Sequence, residues 1–158
     1  MYELQKVSLI ALKKQNEIRD ILYDCGKNMA EQYDIHHWDN SYIKTQLIVF
    51  LCELKNSVYL LSQNEKAIAT FQVKKKGNST LYFEKLAVSP KESGKGIGSY
   101  CVDCIEKIAK EKKCKRITMD VYSQSQHALD FYKKRGYVVC DEDKSLKYSL
   151  FKMEKKIQ

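Results

Sequence analysis

The chain has 158 residues, 44% of them apolar, and a formal net charge of +8. That is enough for one domain spanning residues 1–158 with a real core, and too apolar for a disordered chain. No apolar run is long enough to span a bilayer. The opening MYELQKVSLI lacks the basic stretch, apolar core and small-residue cleavage site of an export signal, so a cytoplasmic location is the expectation.

YELQKVSL reads as a first strand. In ALKKQNEIRDILYDCGKNMAEQY, apolar residues recur at Ile18, Ile21, Leu22, Cys25 and Met29, the spacing of one helical face. DIHHWDN is turn-rich, and SYIKTQLIVFLCEL predicts a second helix with Ser41 as its N-cap. SVYLLSQ and KAIATFQVKKKGNSTLYFEKLAV are β-rich runs broken at Asn64-Glu65 and Gly77-Asn78, a meander of three strands ending at Val88. SYCVDCIEKIAKEKKC is an amphipathic helix and RITMDVYS a strand. QHALDFYKKR is a shorter helix stopped by Gly136, and YVVCD and SLKYSLFKMEK close the chain as two strands. The order is therefore β-αα-βββ-α-β-α-ββ. A right-handed strand–helix–strand crossover in its middle demands parallel pairing there. The expected fold is a mixed α/β sheet, mostly antiparallel, with one central parallel pair.

Charge and cysteine usage narrow the function classes. The lysines are mixed with acids along the whole chain, with no aromatic RNA-binding signature and no Cys/His finger. The charge thus reads as a solvated basic surface, suited to a phosphorylated small ligand more than to nucleic acid. The six cysteines, at 25, 52, 101, 104, 114 and 140, read as reduced thiols. Cys101 and Cys104 form a CxxC without a second ligand pair, and three apart on a helix they read as small buried residues; no metal site is expected.

PKESGKGIGS, residues 90–99, holds three glycines at every second position. A Walker A loop fails because position 89 is Ser and Gly96 follows Lys95; a Rossmann fingerprint fails because Cys101 stands where its last glycine belongs. What remains is a strand end at Leu86-Ala87-Val88, an exit set by Pro90, and a helix start with free amides. Without Cβ atoms, Gly94, Gly96 and Gly98 would let a phosphate approach that backbone, and the helix dipole favours the anion.

LAVSPKESGKGIGSYCVDCI resembles the coenzyme A loop of the GNAT family of N-acetyltransferases. ALDFYKKRGYVV resembles the same family's A-x-x-x-Y-x-x-x-G-F/Y segment. The resemblance covers nearly the whole chain and implies the GNAT-like fold and acetyl-CoA as acetyl donor. It places the backbone of Leu86, Ala87 and Val88 along the pantetheine arm, in a slot opened where the fourth and fifth strands splay. The amides of Gly94, Lys95, Gly96, Ile97, Gly98 and Ser99 would hold the pyrophosphate, with Ser93 a further cofactor-binding candidate at the start of the loop. Ser93 stands where the family's loop usually begins with Gln or Arg, with Lys91 or Lys95 as sources of charge. Ser125 stands where Asn is common. Tyr132 falls at the family's tyrosine, which stabilises or protonates the departing thiolate; as an ordinary residue it would be a core aromatic beside Phe131.

The attacking amine must lose a proton, because free alkylamines titrate near ~10. Glu84, read by strand alternation onto the face of Leu86 and Val88, and Asp120, in the middle of the next strand, are the candidate bases; each could equally be a salt-bridged acid. The resemblance assigns acceptor binding to YDIHHWDNSY, with Tyr33, His36, His37, Trp38 and Tyr42 lining a pocket. The alternative is that Trp38 caps the core and the histidines are solvated. The resulting expectation is direct acetyl transfer in a ternary complex to a primary amine, favoured as a small molecule. The alternatives are a protein N-terminus or lysine as acceptor, or a non-catalytic coenzyme A-binding or sensing domain. A homodimer is an open expectation.

Overall fold

The computed structural model describes every residue except 9, 37, 39–42, 46, 146 and 158. In chain order the elements are β1 (Tyr2–Lys6), α1 (Leu12–Tyr33), α2 (Leu47–Lys55), β2 (Ser57–Gln63), β3 (Lys66–Lys76) and β4 (Thr80–Val88). A single 3-10 turn, Pro90–Glu92, leads into α3 (Ile97–Glu111), followed by β5 (Arg116–Tyr122), α4 (Gln126–Lys134), β6 (Val138–Asp143) and β7 (Leu150–Lys156). The strands form one sheet in the order β1-β2-β3-β4-β5-β7-β6. β4 and β5 are its parallel pair, joined by the α3 crossover, so the expected mixed architecture holds. No helix among the described residues is long and apolar enough to cross a membrane.

Local chemistry explains the turns. Asn64 and Glu65 both take positive φ, 50° and 64°, between the paired Gln63 and Lys66. Two left-handed central residues make the tight hairpin whose twist suits the flanking strands. The second helix is shorter than the sequence predicts: it begins at Leu47, and Ile43 to Thr45 are turn and bend. The Ser41 cap lies outside the described residues. The first strand ends at Lys6 and the last begins at Leu150, both inside the expected runs.

The chain divides into two compact units. The first comprises Met1–Lys74 and Lys85–Cys104. Its core gathers Ile18, Ile21 and Leu22 of α1, Ile48 and Val49 of α2, and Val58 and Leu60 of β2, with Ala87 at the end of β4. Burying each such Leu or Ile contributes about 1.5–3 kcal/mol, which is why the apolar stripe of α1 decides its orientation. Gly26 lies on that stripe because a Cβ there would stand 2.9 Å from the Trp38 carbonyl oxygen. Gln15, also buried, donates to Glu53 Oε2 at 2.9 Å and ties α1 to α2.

The second unit comprises Lys75–Glu84 and Ile105–Gln158. Leu81 and Phe83 of β4, Ile117 and Met119 of β5, and Met153 of β7 are buried at every second position. Their neighbours Tyr82, Glu84 and Asp120 therefore occupy the other, polar face.

Candidate active site

The glycine loop is in the first unit. Ser93 is extended (φ −67°, ψ 150°) and its N–H donates to the Pro90 carbonyl at 3.3 Å. Gly94 and Gly96 then take φ of +79° and +77°. The Gly96 carbonyl accepts the Tyr100 N–H at 3.1 Å, which makes Gly96 the N-cap of α3 and puts Gly98 and Ser99 in its first turn. The three glycines thus have two different jobs: two hold left-handed backbone, and Gly98 is helical. A Cβ built on Gly94 or Gly96 meets nothing within 4 Å. Packing does not explain these glycines; backbone conformation does, together with open space in front of amides that lack helical acceptors. Such a cradle suits an anion of phosphate size.

Charge in the loop is organised around an acid. Glu92 lies 2.6 Å from the Lys95 ammonium and 2.9 Å from that of Lys66, the first residue of β3. These hydrogen bonds hold its carboxyl well below the ordinary 4.5, at about 2. Lys95, expected as a source of charge for phosphate, is therefore engaged with Glu92.

Along β4, Lys85 takes φ of 51°, outside the strand region. Alternation does not run through such a residue, so the placement of Glu84 on the face of Leu86 and Val88 loses its basis. Ala87 is buried in the first unit's core. The Val88 carbonyl accepts a hydrogen bond from the Cys25 thiol at 2.8 Å. Burial, followed by the nearby Asp24 charge, pushes that thiol up to about 12, which leaves it protonated and inert.

The two nominated carboxylates meet in the second unit. β4 and β5 pair only from Thr80–Arg116 to Tyr82–Thr118. Glu84 and Asp120 are each two residues beyond that last pair, on the polar face. The Tyr82 hydroxyl lies 3.2 Å from Glu84 Oε2 and 3.1 Å from Asp120 Oδ2. A phenol has one proton to give, so the two carboxylates compete for the Tyr82 donor. Burial and the two negative charges push the Tyr82 phenol well above its ordinary value. Sequence reasoning missed Tyr82; the available signal was its place two residues before Glu84 on one strand face.

Tyr132 is fixed from two directions. Its ring, 9% exposed, packs against Phe83 at 5.9 Å, Tyr137 at 5.8 Å and Phe131 at 5.0 Å between centroids. Its carbonyl accepts the N–H groups of Arg135 at 3.0 Å and Tyr137 at 3.1 Å, as Gly136, with φ of +90°, turns the chain out of α4. Ser125 is buried at the N-cap of α4, where its carbonyl accepts the Leu129 N–H at 3.0 Å and its hydroxyl makes no capping bond.

Of the acceptor segment's candidates, Tyr33, His36 and Trp38 are described. Tyr33 is exposed at the end of α1, and exposed His36 contacts Asp34 Oδ1 at 2.6 Å. Trp38 packs on the first unit's core over Gly26, the placement expected of a cap. His37 and Tyr42 lie outside the described residues.

Comparison with known proteins adds four findings. A profile described as the acetyltransferase (GNAT) family matches residues 16–137. A PaiA N-acetyltransferase from Thermoplasma acidophilum, solved in complex with coenzyme A, superposes with a TM-score of 0.82 over 99% of both chains at 22% identity. A GNAT family acetyltransferase from Elizabethkingia anophelis, solved with acetyl-CoA bound, gives 0.73 over 99% of this chain and 98% of that one at 16% identity. A bovine thialysine N-epsilon-acetyltransferase is 32% identical over 56 residues, 35% of this chain and 33% of its own length.

Proposed function

This chain belongs to the acetyltransferase (GNAT) family, and on that premise we propose that it transfers acetyl from acetyl-CoA directly to a primary amine on a small molecule. The observation that carries the reading is the loop. Gly94 and Gly96 are left-handed with open space where side chains would stand, ahead of the N-terminus of α3. When bound, acetyl-CoA supplies an activated acetyl thioester. In this reading the amides of residues 94–99 hold its pyrophosphate, and Lys95 exchanges Glu92 for phosphate. The backbone of Leu86–Val88 holds the pantetheine arm.

Tyr132 gives its phenolic proton to the departing sulfur, and its clamped carbonyl and packed ring fix where that hydroxyl points. Glu84 and Asp120, joined through Tyr82, orient the incoming ammonium and take up its proton. Burial keeps the Cys25 thiol protonated, so this cysteine, bonded to the Val88 carbonyl at the end of β4, offers no thiolate to carry the acetyl group. The bovine relative, matched over 56 residues, is named a thialysine N-epsilon-acetyltransferase, which supports a small acceptor.

The test is acetyl-CoA turnover over a panel of amines, wild type against Tyr132→Phe, with coenzyme A affinity measured by calorimetry. Tyr132→Phe keeps the ring and should keep affinity, while kcat falls by about 10²–10⁴, the worth of a positioned acid. Unchanged kcat removes the role of Tyr132. Coenzyme A binding with no turnover of any amine replaces the enzyme with a coenzyme A-binding module.

A further inference from the structure

The first unit contains a recess of about 660 Å³, walled by the edge strand β1, the first turns of α1 and the β2–β3 hairpin. Strand alternation explains where it lies. Val58 and Leu60 of β2 share a core with Ile18 and Leu22 of α1, and the next residue on that strand face is Ser62. Ile18 is the first buried apolar residue of α1; the turn before it carries Lys13, Lys14 and Glu17. The recess begins where both apolar stripes stop.

Its polar groups lack donors. Ser62 is 8% exposed, yet its hydroxyl has no hydrogen-bond partner among the described residues. Buried polar side chains are nearly always partnered, so an orphan facing a recess marks the place of an absent group. Glu3 is the direct partner of Ser62 across the β1–β2 pair, which puts a carboxylate beside that hydroxyl. Glu17 brings a second carboxylate from the helix side. Its Oε2 is closed to solvent and accepts no hydrogen bond, and the Lys14 ammonium stays 4.0 Å away, beyond hydrogen-bond reach. Glu65, at the hairpin, is a third carboxylate in the lining, and among the described residues it makes no ion pair.

Three carboxylates thus face two lysines, and neither lysine hydrogen-bonds to them. A primary ammonium carries three N–H donors and no acceptor, which is what this set of acceptors lacks. Leu4 offers an apolar wall for an alkyl stem. We propose that the recess binds a primary ammonium group, on a free alkylamine or a lysine side chain, held by Glu3, Ser62 and the open oxygen of Glu17. Every residue of this site belongs to the first unit, whereas Glu84, Asp120 and Tyr132 belong to the second. The proposal goes beyond the acetyltransfer reading and does not rest on it.

The test is an NMR titration of the isotopically labelled full chain with butylammonium, Nα-acetyl-lysinamide, butyltrimethylammonium and butanol. The amides of Glu3, Ser62 and Glu17 should shift with the two primary ammonium ligands. They should stay still with the quaternary ion, which has the charge but no N–H, and with the alcohol. The tighter of the two primary ligands identifies the source. Glu3→Gln, at an exposed position, and Ser62→Ala should each weaken Kd by about ten-fold, the worth of one charge-assisted contact.

No shift at those amides, equal shifts with the quaternary ion, or a Kd unmoved in both variants overturns the proposal. Binding seen only in Lys14→Met overturns it as well, because Lys14 then fills the place itself. Amine turnover measured on the same proteins separates the two readings. Amide shifts without any turnover keep the recess and remove the enzyme; turnover without the shifts does the reverse.

Discussion

Replacing Gly96 by alanine separates what the fold needs from what the ligand needs. At φ +77° an added Cβ meets nothing within 4 Å, so the only structural cost is left-handed strain, about 1–2 kcal/mol for an L-residue. The chain already bears that strain at Lys85 and Lys113, with φ of 51° and 57°. A domain of this size loses roughly 2–4 °C of Tm per kcal/mol, so the variant should melt only a few degrees low. Coenzyme A affinity should suffer far more. A methyl group in front of the α3 amides displaces an approaching phosphate, and one charge-assisted hydrogen bond, about 1.5–3 kcal/mol, is a factor of roughly 10–100 in Kd. Gly77→Ala is the control, because Gly77 has φ of +63° and equally open space but lies in the β3–β4 turn. It should show the same thermal shift with unchanged affinity. The assay is calorimetry with coenzyme A beside thermal melts of the three proteins. If Gly96→Ala binds coenzyme A as wild type does, the phosphate does not approach that backbone and the loop reading is wrong.

Gly26→Ala should behave oppositely: alanine gains about 1 kcal/mol of helix propensity, but its Cβ would lie 2.9 Å from the Trp38 carbonyl. Relieving that overlap costs about 1–3 kcal/mol, so chemical denaturation should show net destabilisation. Glu92 contributes stability above its unfolded pKa, near the ordinary 4.5, and loses it as pH falls towards its folded value of about 2. Thermal melts of Glu92→Gln should therefore be flatter with pH than wild type across that interval; parallel curves would show that the two lysines do not hold the carboxyl. The same variant frees Lys95, so its coenzyme A affinity should rise at low ionic strength and converge on wild type in high salt. Alkylation at pH 8 followed by mass spectrometry should label exposed Cys140 first, and should spare Cys25 and Cys101, whose thiols burial pushes up to about 12, until the chain unfolds.

The parts of the fold legible in the sequence are those fixed by neighbours in the chain. Asn64-Glu65 forms the tight hairpin because two left-handed residues between β-rich runs leave little alternative. Gly136 ends α4 because it supplies the positive φ that the helix exit requires. The candidate carboxylates are different. Glu84 was placed by alternation relative to Leu86 and Val88, yet Lys85 breaks the strand geometry between them. What places Glu84 is the opposite neighbour, Tyr82, on the unbroken side. Asp120 reaches the same phenol because the parallel register pairs Tyr82 with Thr118, so each acid sits two residues beyond the last paired position. Slipping β5 by one residue would send Asp120 to the face of Ile117 and Met119 and leave Tyr82 with one acceptor. The convergence is thus a property of register between two strands 38 residues apart in sequence. Periodicity within either strand alone carries no trace of it.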